Sequence, residues 1–157
     1  MRPRQRRRGL LVSLTAAVAL AGASLAPAGA NALDLLTHTP GARYYKVTQA
    51  TIGKTICVKG CTDTRRPPAS YTNALKKQQL AHWGYADKNL SHYDEDHLIS
   101  LELGGAPRST RNQWPEPHSQ SRKSDPKETA WERQVCKGTL TVRRAQQAEL
   151  AYKRKFG

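Results

Sequence analysis

The first 30 residues restrict what this chain can fold into more than any other feature of the sequence. Five arginines between positions 2 and 8 precede an uncharged run from Gly9 to Leu25, and two candidate cleavage sites follow, Ala28-Gly29-Ala30 and Ala30-Asn31-Ala32. A basic region, an apolar region and a small-residue cleavage site, in this order, are typical of a secretory signal peptide. We therefore expect residues 1–30 to be removed and the remaining 127 residues to fold around a single hydrophobic core.

A transmembrane anchor and a twin-arginine signal are the alternatives for this segment. A helix that spans a membrane needs about 20 apolar residues, whereas the uncharged run is shorter and rich in Ala, Gly and Ser. Arg7-Arg8 before Gly9 is compatible with twin-arginine export, in which a protein folds before it crosses the membrane. With either kind of signal peptide we expect a secreted monomer that has no membrane attachment after cleavage.

The basic charge limits the class of partner. The chain has 26 Lys and Arg against 12 Asp and Glu, a net charge of +14, of which about +9 remains without the five arginines of residues 1–30. An excess of this size favours a polyanionic partner such as nucleic acid or an anionic surface. Acids are concentrated between Asp94 and Glu102 and between Asp125 and Glu132, which predicts an acidic pocket within a basic surface. The composition excludes a collagen, a repeat array and a polytopic membrane protein.

Three cysteines, Cys57, Cys61 and Cys136, leave one unpaired if a disulfide forms in an oxidising compartment. A Cys57–Cys61 bond would close a tight loop, whereas a Cys57–Cys136 bond would restrict the unfolded chain more. A zinc site is the alternative to a disulfide. It is disfavoured because the cysteines form no Cys-x-x-Cys pair and no histidine lies at ligand spacing from them.

Hydrophobic periodicity predicts three helices. They run from Tyr71 to about Trp83, from about Asp125 to Lys137 and from about Val142 to Lys155. We expect Lys76 on the solvent side of the first helix. In the third helix we expect Ala145, Ala148 and Tyr152 to face the core and the Lys and Arg residues to face water.

The β structure is predicted from shorter patterns. Residues 31–54 are expected to form a leader and an N-terminal hairpin, because the chain from Val47 to Val58 is rich in Val, Thr and Ile around Gly53-Lys54. A strand is expected between Asp94 and Leu103, closed by Gly104-Gly105. Together with the helices, these elements predict the α+β class.

One region resembles a known family. It contains Asp96-His97-Leu98-Ile99, then Leu101 to Gly105, then Asn112-Gln113-Trp114-Pro115-Glu116 with a helix after it. This order is similar to that of the HNH endonuclease superfamily and its ββα-metal fold, and more closely to small exported bacterial proteins of HNH type. Further segments match the same proteins in order: Cys57-Val58-Lys59-Gly60, Arg66-Pro67-Pro68, Tyr71 to Lys76, and Val135 to Gly138.

The resemblance extends over about residues 55–155 and implies that residues 55–157 form an HNH-like domain with a small ββα-metal core and flanking helices. It also implies a Cys57–Cys136 disulfide, which leaves Cys61 free. In such a domain His97 would be the general base, because an imidazole can take a proton from water near neutral pH. Asn112 would orient His97 or brace the loop.

The same resemblance implies a divalent metal ion, with Asp96 as a ligand on the opposite side of the strand from His97. HNH proteins supply a further histidine from the helix, and here the sequence departs, since His118 precedes the predicted helix. Asp125 and Glu128 lie three residues apart on one helix face and could complete the site with His118 or in its place. Carboxylate ligands suit Mg²⁺ or Mn²⁺, with Zn²⁺ as the alternative ion.

Two functions follow as hypotheses. The first is a secreted, metal-dependent endonuclease that acts on nucleic acid, in particular DNA, with little sequence preference, because no base-reading element is evident. The second is an exported basic protein that binds nucleic acid or another polyanion on the same fold without catalysis. Candidate phosphate contacts for either function are Arg65, Arg66, Arg108, Arg111, Arg122 and Lys123.

Overall fold

The computed structural model describes residues 38–156, in which three helices pack around a two-stranded antiparallel sheet, in agreement with the α+β class. In chain order the elements are α1 (Ala69–His82), β1 (Tyr93–His97), β2 (Gln113–Pro117), α2 (His118–Cys136) and α3 (Val142–Phe156). The predicted signal peptide lies outside the described residues. Within them, every helix is too short or too polar to cross a membrane.

The register of the sheet places the Asp96 and His97 side chains of β1 on opposite faces. Asp96 pairs with Trp114 and Asp94 pairs with Glu116, so these four side chains share one face of the sheet. Helix α2 covers that face, where the Ser124 hydroxyl donates to Glu116 at 3.1 Å. His97 belongs to the opposite face, on which α1 packs.

Two apolar clusters hold these layers together. The larger one surrounds the fully buried Trp114 and includes Leu98, Ile99, Val135 and Ala145, so it joins the sheet to α2 and α3. The smaller one lies under α1 and consists of Leu80, Tyr85 and Tyr93. Burial of this apolar surface is what keeps a two-stranded sheet stable, because an isolated hairpin is at best marginal in water.

The disulfide expected from the resemblance is confirmed. Cys57 and Cys136 are bonded, with their Cα atoms 5.5 Å apart, and connect the loop before α1 to the end of α2. Cys61 is free, and its thiol lies 3.2 Å from the Ile56 carbonyl oxygen.

The predicted N-terminal hairpin is wrong. The chain from Val47 to Val58 forms successive turns around a short 3₁₀-helix, Ile52–Lys54, and contains no strand. The Thr51 hydroxyl accepts a hydrogen bond from the Thr48 amide at 2.8 Å and lies 2.7 Å from the Lys46 carbonyl oxygen. Such side-chain bonds give the backbone an alternative to strand pairing, which explains why a Val- and Thr-rich pattern does not form β structure here.

The three predicted helices exist, but their boundaries and buried faces differ from the prediction. Helix α2 begins at His118, seven residues earlier than expected, and continues through Pro126. Lys76 of α1 is buried and donates to the Tyr93 carbonyl at 2.6 Å, although its charge had predicted a solvent position. In α3 the buried stripe includes Lys153, which had been assigned to the exposed basic face.

Candidate functional site

A cleft of about 580 Å³ opens between α1, β1 and α2. It is lined by several of the residues that the sequence singled out together with one buried lysine: Arg66, Lys76, Asp96, His97, Asp125 and Glu128. The fold thus brings the Asp-His pair of β1 together with two acids of α2, which lie about 30 positions later in the sequence.

His97 is buried at the end of β1 in a defined protonation state. Its Nε2 lies 2.9 Å from the Pro107 carbonyl oxygen. Because a carbonyl only accepts hydrogen bonds, Nε2 must carry the proton, and in the neutral ring Nδ1 is then an acceptor. Burial lowers the pKa of His97, which outweighs the opposite effects of the Pro107 carbonyl and the Asp96 carboxylate. The ring is therefore in its basic form at neutral pH.

Asn112 braces the loop between β1 and β2. Its side-chain oxygen accepts hydrogen bonds from the amides of Ile99 at 3.0 Å and Ala42 at 3.3 Å. Its amide nitrogen donates to the carbonyls of Ile99 at 2.9 Å and Ala106 at 3.4 Å. All these bonds go to backbone groups of Ala42, Ile99 and Ala106, and none of them goes to the His97 ring.

Gly105 allows the loop backbone to pass close to the Ile99 carbonyl and the Asn112 side chain. A Cβ atom at this position would lie 1.7 Å from the Ile99 carbonyl oxygen and 2.6 Å from the side-chain nitrogen of Asn112. Its neighbour Gly104 has a φ of 79° and faces Val47, 2.5 Å from where a Cβ would be. The Gly-Gly pair is thus required for the loop to close around the Asn112 amide.

Four carboxyl groups on the other face of the sheet surround a single ammonium, that of Lys153. Its Nζ forms an ion pair with Asp96 and lies 2.6 Å from a carboxylate oxygen of Glu128. Carboxyl oxygens of Glu116 and Glu149 are each 3.9 Å away. The Lys153 side chain is fully buried and also donates to the His97 carbonyl at 2.7 Å. We call Asp96, Glu116, Glu128, Glu149 and Lys153 the Lys153 cluster.

The charges in this cluster follow from burial and from Lys153. Burial opposes ionisation of Asp96, but the adjacent ammonium outweighs it and holds the pKa of Asp96 well below its usual range. Burial and repulsion from Asp96 raise the pKa of Glu116 to about 10, and burial also raises the pKa of Glu128 to about 7. Burial alone would lower the pKa of Lys153, but the carboxylates hold it well above the usual value. An ion pair of Asp96 and Lys153 therefore persists at neutral pH.

The described residues do not fit a divalent metal ion in this arrangement. Nowhere in residues 38–156 do three His, Cys, Asp or Glu side chains lie close enough together to hold one. Asp96 and Glu128 converge, but on the Lys153 ammonium. Asp125 lines the cleft and is exposed. A cation among the carboxylates is thus already supplied by the chain itself.

His118 does not line the cleft, although its partner Asp94 does. Its Nδ1 is 2.8 Å from an Asp94 carboxylate oxygen and its Nε2 is 2.7 Å from the Ser91 carbonyl oxygen. Both ring nitrogens are engaged at the start of α2, so His118 is not placed with Asp96 or Glu128.

The basic residues expected to contact phosphate are dispersed. Arg66 lines the cleft. Arg65 donates through Nε to the Cys61 carbonyl at 2.9 Å, and Arg108 stacks over the Tyr71 ring. The remaining three are exposed outside the cleft: Arg111, Arg122 and Lys123. Lys76, which had not been proposed for this role, is the second basic residue of the cleft wall.

Sequence reasoning missed Lys153, Glu116 and Glu149. The positions of α3 that are buried recur at helical spacing from Val142 through Glu149 to Lys153, so spacing considered alone would have placed Glu149 and Lys153 on the inner stripe. Their residue types predicted solvent exposure instead, because lysine and glutamate are rarely buried unless they are paired. The pairing partners lie on β1, β2 and α2, and no local pattern shows them.

The chain matches no protein-family model, no curated protein and no solved structure. The likeness of residues 55–155 to HNH-type proteins therefore stays a prediction from the motif. The geometry of the cleft is the basis on which a function is proposed.

Proposed function

We propose that this chain is a secreted, monomeric endonuclease that hydrolyses phosphodiester bonds of nucleic acid, DNA in particular, with His97 as the general base. The observation that supports this most directly is the state of His97. The Pro107 carbonyl fixes the proton on Nε2 at 2.9 Å, and burial lowers the pKa, so Nδ1 is an acceptor at neutral pH. A neutral imidazole in a cleft is the group that activation of water requires.

The hydrolysis is a single displacement at phosphorus. His97 Nδ1 takes a proton from a water molecule as the water oxygen attacks, the ester P–O bond breaks, and the leaving oxygen takes a proton from solvent. Arg66 and Lys76 line the same cleft and supply positive charge for the phosphate oxygens. The expected Mg²⁺ or Mn²⁺ takes no part in this account, because the described residues do not gather ligands for it.

The alternative function is nucleic-acid binding without turnover. It would use the same basic residues, but it would not need a neutral His97 ring with Nδ1 as an acceptor. A nicking assay combined with a gel-shift assay on the same DNA separates the two functions, since a protein that shifts DNA but never cuts it is a binding protein.

The decisive experiment compares plasmid nicking by the full chain and by His97→Ala. General-base catalysis contributes about 10²–10⁴-fold, so a loss of that size is expected in the variant. His82→Ala is the matched control, because His82 is exposed on α1 and does not line the cleft. Each protein is assayed with Mg²⁺, with Mn²⁺ and with a chelator, so that an ion requirement is tested separately. Equal nicking by His97→Ala and the unaltered chain would contradict the proposal.

The pH profile gives a second test. Because the pKa of His97 is lowered, the neutral base persists to more acidic pH than in an ordinary histidine of pKa 6.5. We expect the midpoint of the acidic decline in nicking to lie below pH 6.5. A midpoint above pH 6.5 would show that His97 is not the titrating base.

A further inference from the structure

The cleft has a basic side and an acidic side. Arg66 and Lys76 line it next to and on α1. Asp94, Glu102 and Asp125 line it next to and on α2, where Ser121 of that helix donates to Asp94 at 3.0 Å. The ion pairs of residues 38–156 include neither Glu102 nor Asp125. The acidic side therefore keeps carboxyl groups that no Lys or Arg neutralises.

These carboxyl groups act on one another. Burial and repulsion from Asp96, Asp94 and Glu102 raise the pKa of Asp125, although the Lys153 ammonium opposes this. Asp94 and Asp125 are both exposed, so their repulsion also extends to anything that enters the cleft. A phosphate group that approaches from the α2 side is repelled, whereas one on the α1 side meets Arg66 and Lys76.

His97 lies at the floor of this cleft. Its side chain lines the cleft but the residue is only 4% exposed, whereas Arg66 and Asp125 are exposed at the rim. A water molecule activated by His97 lies about 3 Å from Nδ1, and the phosphorus it attacks must be about 3–3.5 Å from that water. The phosphodiester that is cut must therefore enter the cleft between the two sides.

The size and charge of the cleft favour one strand over two. Its volume of about 580 Å³ is that of a pocket for a ligand of nucleotide size. A duplex would bring the phosphates of its second strand towards the acidic side, since both strands together carry one charge per about 1.7 Å. A single strand can place its phosphates beside Arg66 and Lys76 and its bases beside Glu102 and Asp125. Carboxylates accept hydrogen bonds from base amino groups, which in a duplex are engaged in pairing.

We propose that the cleft accepts an unpaired strand, so that single-stranded DNA is the preferred substrate and a duplex is cut only where its strands separate. This inference rests on the proposed nuclease function and specifies its substrate. Because a duplex must first lose pairing and stacking at the cut position, we expect a preference on the order of 10–100-fold.

The first test compares one labelled oligonucleotide as a single strand and annealed to its complement. The full unaltered chain is used at one salt concentration, and kcat/KM is measured for each form on a sequencing gel. The single strand should be cut at least about tenfold more efficiently. Equal efficiency on the two forms, or a preference for the duplex, would overturn the inference.

The second test uses one plasmid in two closed forms. Negative supercoiling favours strand separation, so the supercoiled form should be nicked faster than the relaxed closed circle of the same sequence. Equal initial rates on the two forms would also reject the inference, because their duplex regions differ only in the ease of opening.

The third test changes the acidic side. Asp125→Asn removes a carboxylate at an exposed position and keeps the shape of the side chain. The ratio of single-strand to duplex cleavage should fall by about threefold at low salt, because repulsion of the second strand is weaker. Asp63→Asn is the control, since Asp63 is exposed and does not line the cleft. An unchanged ratio in Asp125→Asn would show that the acidic side does not select the strand.

Failure of this inference is distinguishable from failure of the proposed function. If the unaltered chain cuts both forms equally and His97→Ala cuts neither, the nuclease function stands and the strand preference is wrong. If the unaltered chain cuts no form of DNA, the nuclease function is rejected and the strand preference with it.

Discussion

Glu95 shows at the scale of one residue how burial sets charge in the cleft. Both of its carboxyl oxygens are shielded from solvent although the residue lies on the cleft wall. Burial raises the pKa of Glu95 to about 9, and the opposing effect of the Lys76 ammonium is smaller. The folded protein therefore holds a proton on Glu95 that the unfolded chain releases above about pH 4.5.

This proton makes stability depend on pH. The contribution of Glu95 is fully present below pH 4.5 and is lost as pH rises through 9, so the free energy of unfolding should fall between pH 5 and 9. In Glu95→Gln, a neutral isostere, this fall should be smaller by about 1–3 kcal/mol. Urea denaturation at several pH values measures it. Asp63→Asn, at an exposed position, should keep the full slope, and an unchanged slope in Glu95→Gln would contradict the assignment.

Asn112 shows how a single amide side chain can hold a loop in place. The motif predicted either a direct contact with His97 or a brace for the loop. The structure shows the brace, with four hydrogen bonds to backbone groups of the loop and of Ala42. A side chain that satisfies buried backbone groups on both sides of a loop fixes that loop more firmly than a contact with one ring would.

At the scale of the element, the loop between β1 and β2 depends on a glycine. A Cβ at Gly105 would overlap the Ile99 carbonyl oxygen, and backbone atoms cannot yield as a flexible side chain can. We expect Gly105→Ala to lower the free energy of unfolding by about 3 kcal/mol. Gly53→Ala is the control, since nothing lies within 4 Å of a Cβ there. Equal urea midpoints for the two variants would mean that the loop is looser than the geometry indicates.

The start of helix α2 differs from the start that its local sequence pattern predicted. Proline is favoured in the first turn of a helix, so a start near Asp125 and Pro126 is what residue preference indicates. The helix instead begins at His118, directly after β2, where Ser121 donates to Asp94 at 3.0 Å and His118 contacts the same carboxylate. Tertiary contacts to β1 thus extend α2 beyond its local signals.

At the scale of the whole molecule, the disulfide joins the part of the chain before α1 to the end of α2, 79 residues apart. The double variant Cys57→Ser with Cys136→Ser should be less stable by about 2–5 kcal/mol, because the unfolded chain regains conformational freedom. Thermal or urea unfolding measures the difference. Cys61→Ser keeps the bond and should stay close to the unaltered chain. A double variant as stable as Cys61→Ser would show that packing alone holds these segments together.

The sequence by itself determined the elements whose signals are local. Three helices, the α+β class, and the opposite directions of Asp96 and His97 on one strand follow from periodicity, because neighbours within an element are set by its repeat. The Cys57–Cys136 pair followed from the resemblance and is present. The hairpin prediction was wrong because threonine hydroxyls bond to the nearby backbone.

Only the tertiary structure decided the charge arrangement of the cleft. Lys153 and Asp96 are 57 positions apart and meet because α3 packs against the sheet and α2. The state of His97 likewise depends on the Pro107 carbonyl, which belongs to the loop after β1. A buried charge needs a partner, and that partner is chosen by packing between distant elements, so no pattern within one element could identify it.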